Sequence, residues 1–387
     1  MARSTNDPLP GAPDPWAPST MPAFRSRPPY LMTEMIAAEP ALVERLVHRL
    51  VPDDAIGQLV DAAQSAITRG QPIITTGCGT SEHAAMGVAE LLNEALDPAD
   101  GRDVRPVQAL EYVQRPSRQG VVIGVSHEGG TRATNEALRA ASAAGATTAL
   151  ITVGGGSPGA ELADFVVETG EQDRSWCHTV GYLSPLVAGT VLAARLRQAK
   201  TDARVLRALL DVSDDHRATA NAAAGLTGID RLLVAGSGVD LVSARELAIK
   251  VTEGARLPAH AYDIETLLHG HLAAATRWTG LVLIITEAEQ RPPIVIDRAR
   301  RLLEAAGSLG VPAAAIVSER LTTTFDAELT PAGRLLVPRV PRLRGATASL
   351  FGAAIPLQLL AERLARARGV NPDTLGREDP AQAAAHA

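Results

Sequence analysis

Ile73-Ile74-Thr75-Thr76-Gly77-Cys78-Gly79-Thr80-Ser81, with a helical pattern running on from Glu82 to Leu96, decides the fold. A short β-branched run reads as a buried strand, the two glycines and the hydroxyl residues as a turn, and the following apolar spacing as a helix. The same succession returns at Leu232-Leu233-Val234-Ala235, Gly236-Ser237-Gly238 and a helix from Asp240 to Gly254. The next elements match as well. Val121–Val125 leads through a loop and a helix to Thr148-Ala149-Leu150-Ile151, and Leu281–Ile285 leads through a helix from Ile294 to Ala306 to Ala313–Val317. Short apolar strands alternating with helices are the pattern of an α/β protein. A period of about 160 residues is far too long for a solenoid repeat and predicts a duplicated domain.

Working outward, the sequence predicts a disordered tail at 1–29, a helical lead-in at 30–69, a first domain at 70–200, a helical linker at 201–227, a second domain at 228–368 and a C-terminal tail at 369–387. The first thirty residues hold eight of the 26 prolines and no apolar period. A length of 387 residues suits two or three domains. With 46% hydrophobic and 21% charged residues, the balance is that of an ordinary globular protein. A net charge of −6 argues against general nucleic-acid affinity. Two cysteines exclude a disulfide framework and, alone, a four-cysteine zinc module. The run Ser175–Ala194 carries no charge, but it contains His178, Gly181, Pro185 and Gly189. Its apolar helical part is only about 14 residues, short of a membrane span, so it reads as a buried helix. No membrane or nucleic-acid partner is expected, and the cytoplasm is the expected compartment.

Two loops in the first copy fall where a strand ends and a helix begins: Cys78-Gly79-Thr80-Ser81 and Ser126-His127-Glu128-Gly129-Gly130-Thr131. Backbone N–H groups and the helix dipole favour anions there, and the hydroxyls of Thr80, Ser81, Ser126 and Thr131 add donors. Ser and Thr are also ordinary helix caps, which is the competing account of these loops. Neither Gly77-x-Gly79 nor Gly236-x-Gly238 has the third glycine of a dinucleotide fingerprint, and no Walker-type sequence occurs. A further constellation, Glu246, Lys250 and Glu253 followed by His269-Gly270-His271, offers a carboxylate and an imidazole for proton transfer. The alternative is a solvated i, i+4 ion pair between Glu246 and Lys250. Cys177 and His178, with Cys78, His83 and His127, are soft-ligand types without the spacing of a zinc site, so no metal is expected.

Taken together, these motifs resemble proteins with two sugar isomerase (SIS) domains, and among them the isomerase half of glucosamine-6-phosphate synthase (glutamine–fructose-6-phosphate aminotransferase). The resemblance spans about residues 32–370, beginning with Met32–Ile36 and Glu39-Pro40. It continues through Cys78–Ser81, the Ser-x-Ser-Gly-x-Thr loop at Ser126–Thr131, and Glu246, Lys250, Glu253 and His269-Gly270, with the 16-residue step from Glu253 to His269 kept. It implies an α/β fold of two tandem SIS domains, each a three-layer α/β/α sandwich with a mostly parallel, flavodoxin-like sheet. It implies a sugar or amino-sugar phosphate on Thr80, Ser81, Ser126 and Thr131, with Cys78, Gly79, His127, Glu128, Gly129 and Cys177 completing the binding set. Glu253 would be the base that moves a proton between C1 and C2, and Lys250 would support the developing charge. His269 would assist ring opening across the interface of a homodimer. No cofactor is implied.

The departures from the family shape the expected activity. No glutamine-hydrolysing domain precedes the repeat and position 2 is not cysteine, so glutamine-dependent amination is not expected. The stretch Ser175–Thr179 replaces a Ser/Thr-rich substrate-contacting segment, and His271 replaces a proline. The tail around Arg377–Pro380 has no lysine for a Schiff base; Lys200 and Lys250 are the only lysines of the chain. Glu128 stands where the family has a serine, and an ionised carboxylate cannot donate to a phosphate. Glu128 turns away, or a protonated His127 offsets it, or the ligand carries a hydroxyl or ammonium there. The expected function is isomerisation, deamination or deglycation of a sugar phosphate through an enediol or enolamine. The alternatives are a sugar-phosphate sensor without turnover and an enzyme acting on a non-phosphorylated sugar derivative.

Overall fold

The computed structural model describes residues 25–96, 103–213, 215–286 and 292–385. Most of the tail expected at 1–29 lies outside the described residues. Two compact units divide the chain: residues 38–173 and 180–207 belong to the first, and residues 25–37, 174–179 and 208–385 to the second.

The chain opens with α1 (Leu31–Leu50) and α2 (Asp54–Arg69). The sheet of the first unit and its helices follow as β1 (Ile73–Gly77), α3 (Thr80–Asn93), β2 (Val104–Gln108), α4 (Ala109–Gln114), β3 (Val121–Val125), α5 (Arg132–Ala143), β4 (Thr147–Thr152), β5 (Phe165–Glu168) and α6 (Val180–Leu196). After α7 (Ala203–Ser213) and α8 (His216–Gly225) come β6 (Arg231–Ala235), α9 (Val239–Ala255), β7 (Ala259–Tyr262), α10 (Ile264–Leu268), β8 (Thr279–Ile285) and α11 (Pro293–Ser308). The chain closes with β9 (Ala313–Ser318), β10 (Gly333–Val337), α12 (Gly345–Ala367) and α13 (Pro380–Ala385).

Every strand pair is parallel. The strand orders are β2-β1-β3-β4-β5 and β7-β6-β8-β9-β10. Both follow the 2-1-3-4-5 order of flavodoxin-like sheets, in which ligands bind at the carboxyl ends of the strands where the order reverses. A parallel sheet needs helices on both faces, and β1 and β3 are accordingly buried at every residue. On one face Ile74 and Val122 pack against Ala109, Tyr112, Ala137 and Ala141 of α4 and α5. On the other lies α3, where the Thr75 hydroxyl donates to the Ala85 carbonyl at 2.8 Å. The uncharged run is a core helix: α6 is buried from Val180 to Ala194. A Cβ at Gly189 would lie 3.0 Å from a methyl of Val88, so this glycine lets α6 close on α3. In the second unit Leu233, Ala235, Leu281 and Leu283 pack against Leu302 and Leu303 of α11 and against Ile264 and Leu267. α9 and α12 lie together on the opposite face.

α3 begins at Thr80 and α9 at Val239, earlier than the Glu82 and Asp240 starts read from the sequence. The cause is the glycine before each. Gly79 (φ 59°, ψ −131°) and Gly238 (φ 61°, ψ −133°) adopt nearly the same backbone, open to glycine alone, and turn the strand straight into the helix. Thr80 and Ser81 therefore stand in the first helical turn.

Residues 371–379 are bound into the second unit. The Asp373 carboxylate accepts the N–H groups of Leu31 and Met32 at 2.8 and 2.9 Å. Its carbonyl accepts from Trp176 at 3.1 Å. The Arg377 guanidinium lies 3.6 Å over the Trp176 ring. Among the described residues no helix is long and apolar enough to cross a membrane.

Candidate functional site

In the first unit the expected anion loops leave the carboxyl ends of β1 and β3, the neighbouring strands at which the sheet order reverses. Thr80 and Ser126 are buried, Ser81 is half-buried and Thr131 is exposed. The hydroxyls of Ser126 and Thr131 are 3.4 Å apart. Neither α3 nor α5 has a side-chain cap: Gly79 and Thr131 occupy the cap positions without a capping hydrogen bond. The capping account of these hydroxyls therefore does not hold.

The second loop is rigidly tied. The Gly129 N–H donates to the Ser126 carbonyl at 3.2 Å, and the Gly129 carbonyl accepts from Gly159 at 2.8 Å and from the Asn135 amide at 3.3 Å. Gly129 has φ +69°, and a Cβ there would fall 1.9 Å from Ser157 Oγ, so only glycine fits. Glu128 is half-buried on this loop. His127 is buried; its Nε2 accepts the Asp173 N–H at 2.9 Å, and its carbonyl accepts from Val153 at 2.9 Å and from Thr152 Oγ1 at 3.1 Å. Burial pushes its pKa down to about 4. Burial and the accepting Nε2 both favour the neutral ring over a protonated His127 beside Glu128, and the imidazole ties the loop to Asp173. Cys78 is similarly engaged: its sulfur accepts from Gln108 Nε2 and Thr134 Oγ1, each at 3.7 Å. Burial pushes this thiol's pKa up.

In the second unit Glu246, Lys250 and Glu253 share one face of α9. Lys250 Nζ is 2.9 Å from Glu246 and 3.8 Å from Glu253. Glu246 and Lys250 are wholly buried, which overturns the solvated ion pair, whereas the Glu253 side chain is 28% exposed. Burial by itself disfavours the Lys250 cation, but the adjoining carboxylates, Glu246 foremost, outweigh it, and its pKa ends above the ordinary lysine value. Lys250 is therefore a fixed positive charge beside a reachable carboxylate.

Cys177, expected in the binding set, is fully buried. Its thiol donates to the Lys250 carbonyl at 3.8 Å, and its sulfur would lie 3.3 Å from a Cβ at Gly254. It packs on α9 and offers no surface to a ligand. His269 ends α10, with 74% of its side chain exposed and Nε2 2.6 Å from Glu265. Arg298 grips the same carboxylate at 2.6 and 3.0 Å. Those hydrogen bonds hold the Glu265 pKa below its ordinary value. His271 stacks on Tyr262 with ring centroids 4.2 Å apart. Among the described residues no group of three or more His, Cys, Asp or Glu side chains is disposed to hold a metal ion. The residues that sequence reasoning missed are the loop's anchors, Asn135, Ser157 and Asp173, whose types carry no motif.

Two outcomes test this arrangement. Unfolded histidine binds a proton near pH 6.5, whereas folded His127 resists to about 4; the unfolded chain then holds more protons between those values. Stability should fall as pH is lowered through that window, by up to about 1.4 kcal/mol per pH unit. Denaturant titrations of His127→Gln, which keeps an acceptor for Asp173, should lose this dependence. Glu246→Ala leaves the buried Lys250 without its nearest carboxylate and should lower the unfolding free energy by about 3–5 kcal/mol at pH 7.

Residues 67–195 match the SIS domain family. The chain is 28% identical over 366 aligned residues to a glutamine–fructose-6-phosphate aminotransferase [isomerizing] of Symbiobacterium thermophilum, covering 89% of this chain and 57% of that protein. The chain thus spans little more than half the length of that curated relative. Among solved structures, the C-terminal domain of glucosamine-fructose-6-phosphate aminotransferase from Francisella tularensis superposes with a TM-score of 0.75 at 19% identity, covering 89% of this chain and 98% of that one. Tagatose-6-phosphate ketose/aldose isomerase from Escherichia coli superposes with a TM-score of 0.73 at 17% identity, covering 90% and 95%. Residues 67–195 thus match the SIS domain family, in the first of two tandem α/β units with flavodoxin-like strand order, in a chain similar over most of its length to the isomerizing aminotransferases.

Proposed function

We propose that the first unit binds a phosphorylated sugar or amino sugar and that the chain moves a proton on it without a cofactor. The observation that carries this reading is the pairing of two uncapped helix N-termini with the hydroxyls of Thr80, Ser81, Ser126 and Thr131 at adjacent strand ends. Such a cradle supplies N–H and O–H donors and a favourable dipole to a dianion. The names of the relatives, which refer to fructose-6-phosphate and tagatose-6-phosphate, point to the same ligand class.

The proton transfer is assigned to Glu253. Its carboxylate is reachable by solvent, and Lys250 beside it is held cationic by Glu246. Glu253 takes the proton from the carbon next to the carbonyl, leaving an enediolate or its enolamine counterpart, and returns it to the former carbonyl carbon, while the proton of the adjacent hydroxyl or amine passes to the carbonyl oxygen. The positive charge of Lys250 offsets the negative charge that builds up on the intermediate. His269, exposed and oriented by Glu265, is assigned to ring opening in a homodimer.

Calorimetric titration with fructose 6-phosphate and with fructose tests the ligand. The phosphate ester should bind far more tightly, and Thr80→Val or Ser126→Ala should weaken it about 10- to 100-fold, the worth of one hydrogen bond to a charged group. Glu128→Ser should strengthen phosphate binding by removing a like charge. Equal binding of the neutral sugar would overturn the phosphate assignment. With a turned-over substrate, Glu253→Gln should lower kcat by about 10²–10⁴-fold and leave binding nearly unchanged.

A further inference from the structure

The second unit repeats the backbone of the first at its sheet's switch point but puts carboxylates where the first has neutral polar groups. A Cβ at Gly77 would lie 2.6 Å from the Ser81 carbonyl, and one at Gly236 would lie 2.5 Å from the Asp240 carbonyl, so both turns are equally tight. Counting from these glycines, Cys78 corresponds to Ser237, Thr80 to Val239 and Ser81 to Asp240. The strand registers carry the match across the sheet: Gly77 pairs with Gln108 at the end of β2, and Ala235 pairs with Tyr262, placing Gly236 beside Asp263. Gln108 and Asp263 both cap the next helix through their side chains. Hydroxyls in the first helical turn have become Val and Asp, and a neutral amide has become a carboxylate.

The crevice between β6 and β8 is already occupied by the chain's own anion. Asp240, wholly buried in the first turn of α9, accepts the N–H of Thr286 at 3.0 Å and also the Thr286 hydroxyl. A phosphate has no place there. The β7 side is open instead. A pocket of about 260 Å³ is lined by Ser237, Asp263, Glu265, Ile294, Val295 and Arg298, together with Ile264. That volume is near the lower end for small-molecule sites and suits a ligand of one ring.

The polar groups of the pocket specify its occupant. Glu265 is balanced by Arg298. Among the described residues Asp263 receives neutral donors, Ser237 Oγ at 2.7 Å and the Glu265 N–H at 2.9 Å. No cation among the described residues pairs with it. A carboxylate has about four acceptor positions, so two remain for a ligand. Ile294, 61% exposed, and Val295 form an apolar wall. A carboxylate with no cationic partner among the described residues, in a pocket it shares with apolar Ile294 and Val295, suits a compact ring bearing hydroxyls and an ammonium, and repels an anion.

We propose that the second unit has a ligand site of its own at Ser237, Asp263 and the Glu265–Arg298 pair, for a non-phosphorylated amino sugar. The site does not depend on what the first unit binds.

Titration calorimetry with glucosamine at pH 6.5 tests it on the full chain. Binding should be saturable at one site, at least tenfold weaker for glucose, and unaffected by inorganic phosphate or by Thr80→Val. Asp263→Asn keeps an oxygen for the Glu265 N–H and should weaken glucosamine at least tenfold. Ile294→Arg, on an exposed position, should do the same while leaving the melting temperature unchanged, and it decides the matter if Asp263→Asn folds poorly. Absence of glucosamine binding, binding untouched by Ile294→Arg, or binding lost in Thr80→Val would each overturn the proposal. Failure of the first unit to bind fructose 6-phosphate would leave all of these expectations intact.

Discussion

Each unit hinges on how tightly its first strand turns into its first helix. At Gly77 and Gly236 the following helix's backbone approaches to where a side chain would begin, and at Gly79 and Gly238 the chain takes a conformation reserved for glycine. The helix therefore starts immediately above the strand end, with the positive end of its dipole directed over the switch point of the sheet. Had the chain needed a longer connection, the helix terminus would lie farther from the neighbouring strand's loop, and no compact cradle would form. The identity of the residues in that first turn then decides the chemistry: hydroxyls in one unit, a carboxylate in the other.

The charges of the second unit are arranged around the same helix. A buried lysine without a partner would shed its proton. Lys250 keeps it because Glu246 lies one turn earlier on the same face, equally buried. The pair contributes little net stability by general experience of buried ion pairs. Its value lies in a positive charge of fixed position next to Glu253. Cys177 and Gly254 close the packing around that helix, so the thiol acts as a small apolar filler.

Periodicity and the two glycine turns made the duplicated α/β architecture legible, because a buried strand and an amphipathic helix leave strong marks in sequence. Four edge strands left almost none. β2 reads Val-Arg-Pro-Val-Gln and β7 Ala-His-Ala-Tyr, short and half-exposed, without the apolar continuity of β3 or β8. The helix starts were displaced by the special backbone of Gly79 and Gly238, which residue type alone does not disclose. The hydroxyl loops and the Glu246, Lys250, Glu253 series were readable from spacing. Whether the ion pair faces water or the core was not, since i, i+4 spacing is the same in both settings. The fate of His127 was likewise hidden, because its neutral state follows from burial and from the distant Asp173 N–H.

The capping of α1 by Asp373 joins residues 342 positions apart in sequence. Contacts of such separation form late, since most of the chain must be in place before they can close. During synthesis the N-terminal end of α1 waits for this partner until Asp373 has left the ribosome. This contact of the second unit cannot close before Asp373 emerges, whereas residues 38–173 and 180–207 contain their own sheet and emerge earlier. A chain cut short before Asp373 would thus leave the start of α1 without its carboxylate partner, while the residues of the first unit's sheet would all be present.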